Sequence, residues 1–243
     1  MFSIIIPAYN EQDYLPATLA NVQAAMQTMA MQGEVIVVDN NSTDKTADIA
    51  REHGAKVIFE PINQISRARN AGAREAKGDY LIFIDADTHI TPDLLKLALE
   101  SLQSGNYCGG GTIVQPDTPL QAWAQFTVDM WNRLSARLCL AAGCFIFCLR
   151  EGYIASGGFS ENVYATEEIW FSLKLKSWGK QHDMGFRIIT DYPVRTSARK
   201  LHWYSHSQAL AMTLPVLLFP ILFRSRRFCK LWYERPQDPG GPS

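Results

Sequence analysis

Residues 80–87 read Tyr-Leu-Ile-Phe-Ile-Asp-Ala-Asp, an apolar run that ends in two carboxylates. Three more short runs share its character: residues 3–7 (SIIIP), 34–39 (EVIVVD) and 56–60 (KVIFE). All are rich in β-branched residues and apolar on both faces, a pattern that suits parallel strands covered on both sides. Between them lie helical patterns. Leu15, Leu19, Val22, Met26 and Met29 recur every three or four residues and mark one buried helix face. A second helix is expected from an N-cap near Ser42 to an αL cap at Gly54, and a third runs to about Gly78. A fourth starts at Thr91-Pro92, with proline in the first helical position. Strands alternating with such helices predict an α/β fold, an open and mostly parallel sheet flanked by helices.

In such sheets ligands bind beyond the carboxyl ends of the strands. Three of the runs end there in polar clusters: Tyr9-Asn10-Glu11, Asp39-Asn40-Asn41 and Asp85-Ala86-Asp87. The second half is less regular. Gly109-Gly110-Gly111 begins a further strand, residues 119–138 contain a helix, residues 143–149 read as a buried strand, and residues 167–178 form a helix ending at Gly179. Division of the chain follows: 1–90 and 91–205 as two halves of one domain, 206–235 as an apolar and basic helical appendage, and 236–243 as a loose tail.

Composition narrows the class. A chain of 243 residues, 47% apolar and 19% charged, folds as a globular protein, and a net charge of −1 excludes the basic excess expected of a nucleic-acid binder. Five cysteines with no CxxC pair suggest reduced thiols and a cytoplasmic setting, and the first residues show no signal peptide.

Asp85 and Asp87 are two residues apart, so in an extended chain both carboxylates face one site. Two hard oxygen ligands beside diphosphate oxygens suit Mg²⁺ or Mn²⁺. Taken alone, the triplet fits equally well an aspartate capping the next turn and a second one in solvent.

Pro7-Ala8-Tyr9-Asn10-Glu11, the run from Val37 through Asp39 to Asp44, Arg67-Ala68-Arg69-Asn70-Ala71-Gly72 and Asp85-Ala86-Asp87 occur in that order. Together they resemble the nucleotide-binding half of the family 2 glycosyltransferases, strongly over the first ninety residues and more weakly to about residue 200. The resemblance implies a GT-A fold and inverting transfer from a nucleotide-diphosphate sugar with Mn²⁺ or Mg²⁺. It places Pro7, Ala8, Tyr9 and Glu11 along the nucleoside pocket and Asp39 on the base. It puts Arg69 near the ribose and phosphates, Asp85 on the ribose or metal side, and Asp87 on the metal. The family's acceptor base comes from an acidic pair that matches Glu167-Glu168 here, with glutamate where aspartate is common. Capping of the following helices is the competing reading for Glu11, Asp39, Glu167 and Glu168. Arg199 or Lys200 would cover the diphosphate, and His202 is a further candidate metal ligand.

Residues 208–223 (QALAMTLPVLLFPILF) form the least polar stretch, and Arg224-Ser225-Arg226-Arg227 follows at once. The run is too short and proline-interrupted to span a bilayer. An interfacial segment over 208–227 on the cytoplasmic membrane face is one reading, and packing on the domain or on a second copy in a homodimer is the other. Both a lipid-linked and a glycan acceptor fit these residues. Two other functional classes stay open: an inactive nucleotide-sugar-binding protein, and a metal-dependent nucleotidyltransferase. No GxGxxG turn or GxxxxGK[ST] loop is present to support a dinucleotide oxidoreductase or a P-loop enzyme.

Overall fold

In a computed structural model, which describes residues 1–199, 208, 211, 220–229 and 233, the apolar runs form one end of an eight-stranded sheet. Strand β1 (Phe2–Ala8) lies between β2 (Gly33–Asp39) and β4 (Tyr80–Ile84), parallel to both. Strand β3 (Lys56–Phe59) extends the parallel set beyond β2. On the other side, β7 (Phe145–Leu149) pairs antiparallel with β4, and β6 (Tyr107–Pro116) antiparallel with β7. Strand β8 (Gly185–Thr196) runs parallel to β6 and carries the two-residue β5 (Thr88–His89) antiparallel at its edge. The order is β3-β2-β1-β4-β7-β6-β8-β5, so strands from both sides of residue 90 share one sheet.

Alternation along the central strands explains the layers. Ile4, Ile6, Ile82, Ile84, Phe145 and Phe147 pack in one core with α1 (Leu15–Gln27) and α4 (Pro92–Gln103). Ile5, Val38, Leu81, Phe83 and Ile146 pack in the other with α3 (Ile65–Glu75), α6 (Arg150–Ala155) and α7 (Glu167–Gln181). Every one of these strand side chains is fully buried, which contributes roughly 1.5–3 kcal/mol apiece. The two remaining helices are α2 (Thr46–Glu52) and α5 (Ala122–Leu138).

Four local expectations are corrected. Helix α2 begins at Thr46 rather than near Ser42, because Asn41 takes φ 66° and residues 42–44 are held in a loop by side-chain hydrogen bonds. Strand β3 is not covered on both faces: it is the sheet edge, and Phe59 is 60% exposed. Helix α7 runs past Gly179 to Gln181, so that glycine is no cap; a Cβ there would meet Cys108 Sγ at 2.5 Å. Strand β4 stops at Ile84, which puts Asp85-Ala86-Asp87 in a turn rather than in extended chain. Thr91 does cap α4, its hydroxyl accepting from the Leu94 amide at 3.1 Å. All five cysteines are free thiols. Among the described residues no helix is long and apolar enough to cross a membrane.

Candidate active site

Strands β1, β2 and β4 are adjacent and parallel, so their carboxyl ends open on one edge of the sheet. Ala8 stands opposite Asp39, and the loops that follow are laced together. The Asn10 amide donates to Ser42 Oγ at 3.0 Å and the Glu11 amide to Thr46 Oγ1 at 2.8 Å. In return the Thr43 amide donates to Asn10 Oδ1 at 2.8 Å. Asn10 sits at φ 51° and Asn41 at φ 66°, a region asparagine tolerates better than most residues. The result is a rigid double loop behind buried Pro7 and Ala8 and half-buried Tyr9. Buried Asp39 accepts from the Ser42 amide at 2.9 Å, so one oxygen holds its own turn. Asn40, beside it, donates to the carbonyls of Glu60 and Ile62 and accepts from the Gln64 amide, tying this edge to the start of α3.

Arg69 is the hub of the site's second layer. Its side chain is 1% exposed and its guanidinium reaches Glu167 Oε1 at 2.8 Å, Asp85 Oδ1 at 3.0 Å and the Gly143 carbonyl at 2.8 Å. The Phe159 ring lies under it, 5.2 Å away. A side chain at Gly143 would press on the guanidinium, since a Cβ there comes within 3.1 Å of it. In this arrangement Arg69 holds two acids from opposite halves of the chain. Its helix neighbour Asn70 fills all its bonds on the segment before α7. The side-chain amide donates to the Phe159 carbonyl and Glu161, and the side-chain carbonyl accepts from Tyr153 Oη and the Phe159 amide.

A second arginine closes the other flank. Because β5 pairs with the end of β8, residues 197–199 are carried back to Asp87, whose carbonyl accepts from the Ser197 amide at 3.1 Å. Arg199 then grips Glu11 with both terminal nitrogens, at 2.8 and 2.5 Å, and reaches Asp87 Oδ2 at 3.0 Å. Its guanidinium lies 4.3 Å from the centre of the Tyr14 ring. Glu11 is therefore an ion-pair partner in this state.

Glu167 and Glu168 open α7, and Thr166 before them holds φ 63°, a left-handed conformation that is an outlier for a β-branched residue. Burial pushes the Glu167 carboxyl up in spite of Arg69. Glu168 is half-buried, has no ion pair among the described residues, and is raised to about 8, by burial first and by the charge of Glu167 second. Arg69 and Arg199 are both pushed up by the acids around them, burial acting the other way.

Glu11, Asp85, Asp87 and Glu167 thus outnumber Arg69 and Arg199, and the edge is rich in hard oxygens, with Glu168 keeping its proton up to about pH 8. Among the described residues no group of three or more His, Cys, Asp or Glu side chains could hold a metal ion. Mg²⁺ is commonly bound by only one or two carboxylates plus substrate phosphates, and Asp85 and Asp87 are donors of that kind. Lys200 and His202 lie outside the described residues, as does half of 208–227.

The structure brings Glu11, Arg69, Asp85, Asp87, Glu167 and Arg199 into two linked ion-pair clusters. Reading the sequence missed Asn70, Gly143 and Glu161, whose roles rest on partners 74 to 94 residues away in the chain. A glycine or asparagine in isolation carries no sign of such a partner.

Comparison with known proteins bears on the family and the fold. The family model described as Glycosyl transferase family 2 matches residues 3–154. Undecaprenyl-phosphate 4-deoxy-4-formamido-L-arabinose transferase of Edwardsiella ictaluri is 37% identical over 120 residues, which are 46% of this chain and 37% of that protein. The chain thus aligns with less than half the length of such curated relatives. Among solved structures, S. aureus TarS 1-349 in complex with UDP-GlcNAc superposes with a TM-score of 0.64 at 20% identity, covering 81% of this chain and 58% of that one. The mannosyltransferase PcManGT of Pyrobaculum calidifontis, in complex with GDP-Man and Mn²⁺, gives 0.63 at 20% identity over 93% and 69%. At these identities the structural likeness is one of fold.

Proposed function

From the premise that the chain belongs to glycosyl transferase family 2, we propose that it moves a sugar from a nucleotide-diphosphate donor to a phosphate-bearing lipid, with inversion and with a divalent cation. The observation that carries the reading is the acid-lined edge of β1, β2 and β4, where Asp85 and Asp87 meet Glu167 and Glu11 through Arg69 and Arg199. Pro7, Ala8, Tyr9 and Asp39 line the nucleoside side, where a carboxylate accepts from a base N–H or a ribose hydroxyl. Asp87, with Asp85, would hold Mg²⁺ or Mn²⁺, which supplies positive charge against the leaving diphosphate.

Glu168 acts as the base. It takes the last proton of the acceptor's phosphate monoanion as that phosphate oxygen bonds to the anomeric carbon, and the bond from that carbon to the diphosphate breaks with its electrons leaving on the nucleoside diphosphate. Glu167, fixed by Arg69, positions the pair. The acceptor class is supported by the named relative, which uses undecaprenyl phosphate. Such an acceptor would be met at a membrane surface. Support for peripheral contact comes from α5, where Phe126, Met130, Leu134 and Leu138 are all exposed at four-residue intervals beside exposed Arg133 and Arg137.

A thermal-shift panel of UDP-, GDP-, dTDP- and CDP-sugars, with and without Mn²⁺ or Mg²⁺, tests the donor half. A ligand bound only by the native state raises the melting temperature by mass action. One nucleotide should shift it in a metal-dependent way. No shift with any donor on folded protein sinks the reading, and release of pyrophosphate rather than nucleoside diphosphate would mark a nucleotidyltransferase.

A further inference from the structure

The two arginines of the site are held in different ways. Arg69 is walled in, with its side chain 1% exposed on the Gly143 carbonyl, buried Glu167 and the Phe159 ring. Arg199 stands nearer the rim, where the side chains of Arg199, Glu11 and Asp87 are 10%, 10% and 11% exposed. The two aspartates are therefore guarded unequally. Asp85 lies against the enclosed guanidinium, and Asp87 against the one at the rim.

The main chain that carries Arg199 is pinned just before it. The Ser197 amide donates to the Asp87 carbonyl at 3.1 Å, and the Ala198 amide to Asp117 Oδ1 at 2.9 Å. Asp117 is itself tied back, its amide donating to the Thr196 carbonyl at 3.0 Å. Backbone bonds thus keep Arg199 within reach of Asp87, while its long side chain gains rotamer freedom whenever the head lets go. Two further groups favour the closed position. Glu11 accepts from both terminal nitrogens, and the Tyr14 ring lies 4.3 Å from the guanidinium carbon.

At Asp87 Oδ2 a guanidinium and a divalent cation are alternatives. The guanidinium spreads one charge over a planar fork and meets that oxygen at 3.0 Å. Mg²⁺ concentrates two charges and takes carboxylate oxygens at about 2.0–2.1 Å. Both cannot hold the same oxygen without like charges in contact, which costs most where water is scarce.

We infer that Arg199 is a built-in competitor for the cation: it closes Asp87 until a divalent metal displaces it, and the strength of its hold sets how tightly the metal binds. The inference rests on the transferase reading above and adds to it how entry to the metal site is controlled. Tyr14 and Glu11 then have a part in metal affinity, because they hold the guanidinium in place.

Mn²⁺ alone is the probe, titrated into the full chain and followed by the electron paramagnetic resonance signal of the free ion. Arg199→Gln should bind Mn²⁺ at least about fivefold more tightly than wild type, the lower end of the range for coupled sites. Adding Asp87→Asn to that variant should abolish the gain. Tyr14→Leu alters no charge and removes only the ring beside the guanidinium, so it should tighten Mn²⁺ about two- to fivefold. Arg195→Gln removes an exposed cation of the same strand, and its Mn²⁺ affinity should match wild type.

Wild-type affinity in Arg199→Gln overturns the inference, as does a gain that survives Asp87→Asn. An equal gain in Arg195→Gln reduces the effect to net charge and overturns it too, and so does an unchanged Tyr14→Leu. A metal-dependent donor shift beside any of these results leaves the transferase reading standing. The expected Mn²⁺ series in a chain whose melting no nucleotide sugar moves keeps the competitor and sinks that reading.

Discussion

Glu168 is the side chain on which the chemistry turns. Its carboxyl is raised to about 8 because burial disfavours the anion and Glu167 adds a like charge beside it. With an alcohol acceptor, kcat/KM should therefore climb as pH rises through about 8, and that limb should vanish in Glu168→Gln; with the phosphate monoester, ionised already above about pH 6, no limb through 8 is expected. The size of the loss reports on the acceptor. An alcohol needs its proton removed, so the variant should fall on the order of 10²–10⁴-fold. A phosphate monoester loses its second proton near pH 6, so the fall should be nearer about tenfold. A wild-type rate and pH profile would take Glu168 out of the reaction. Stability carries the same sign: a carboxyl whose folded pKa exceeds its unfolded value keeps its proton in the fold, and stability drains away as pH rises toward about 8. Glu168→Gln should thus melt higher than wild type at pH 8 and alike at pH 4.

At the scale of the element, the start of α7 is held under strain. A non-glycine residue in the left-handed region costs roughly 1–2 kcal/mol, and Thr166 occupies it at φ 63° immediately before the two acids. Tyr164 on one side is fixed to Phe223, and Glu167 on the other to Arg69, so the backbone between them has little freedom to relax. Thr166→Gly removes the strain and returns part of the gain as unfolded-state entropy. Its melting temperature should hold or rise, while transfer falls because the acids are less firmly aimed. A drop in melting temperature would mean that the threonine side chain itself stabilises the turn.

Across the whole molecule, the sheet edge that collects the acids and the surface that would meet a membrane are joined through α7. Lys176 on α7 donates to the Leu138 carbonyl at the end of α5 at 2.7 Å, and Trp170 and Leu173 are exposed on α7 as the row is on α5. Exposed Arg133, Arg137 and Lys174 give this face a basic character that suits anionic headgroups. Phe126→Asp combined with Met130→Asp should abolish flotation with vesicles containing anionic lipid, and should leave the melting temperature within about a degree or two, since surface changes move stability by only about 0.5 kcal/mol. Undiminished flotation would place any membrane contact elsewhere, with 208–227 the next segment to test.

How much of this was legible beforehand follows from the range of each interaction. The strand runs, the helices between them and the carboxylates at the strand ends were open to reading, because burial periodicity and turn chemistry are local and recur every two to four residues. From these came the α/β class and the edge where the site lies. The antiparallel joint at β4 and β7, the return of β5 to β8, and the turn at Asp85–Asp87 were not legible, since they depend on which distant strands pair. The same holds for the site. The sequence by itself determined that acids and arginines would gather at one edge. Only the tertiary structure decided that Arg69, bonded to Asp85, would also reach Glu167 across 98 residues, and that Arg199 would close on Glu11 across 188. An ion pair has no sequence period, and its geometry exists only once packing has brought its two ends together.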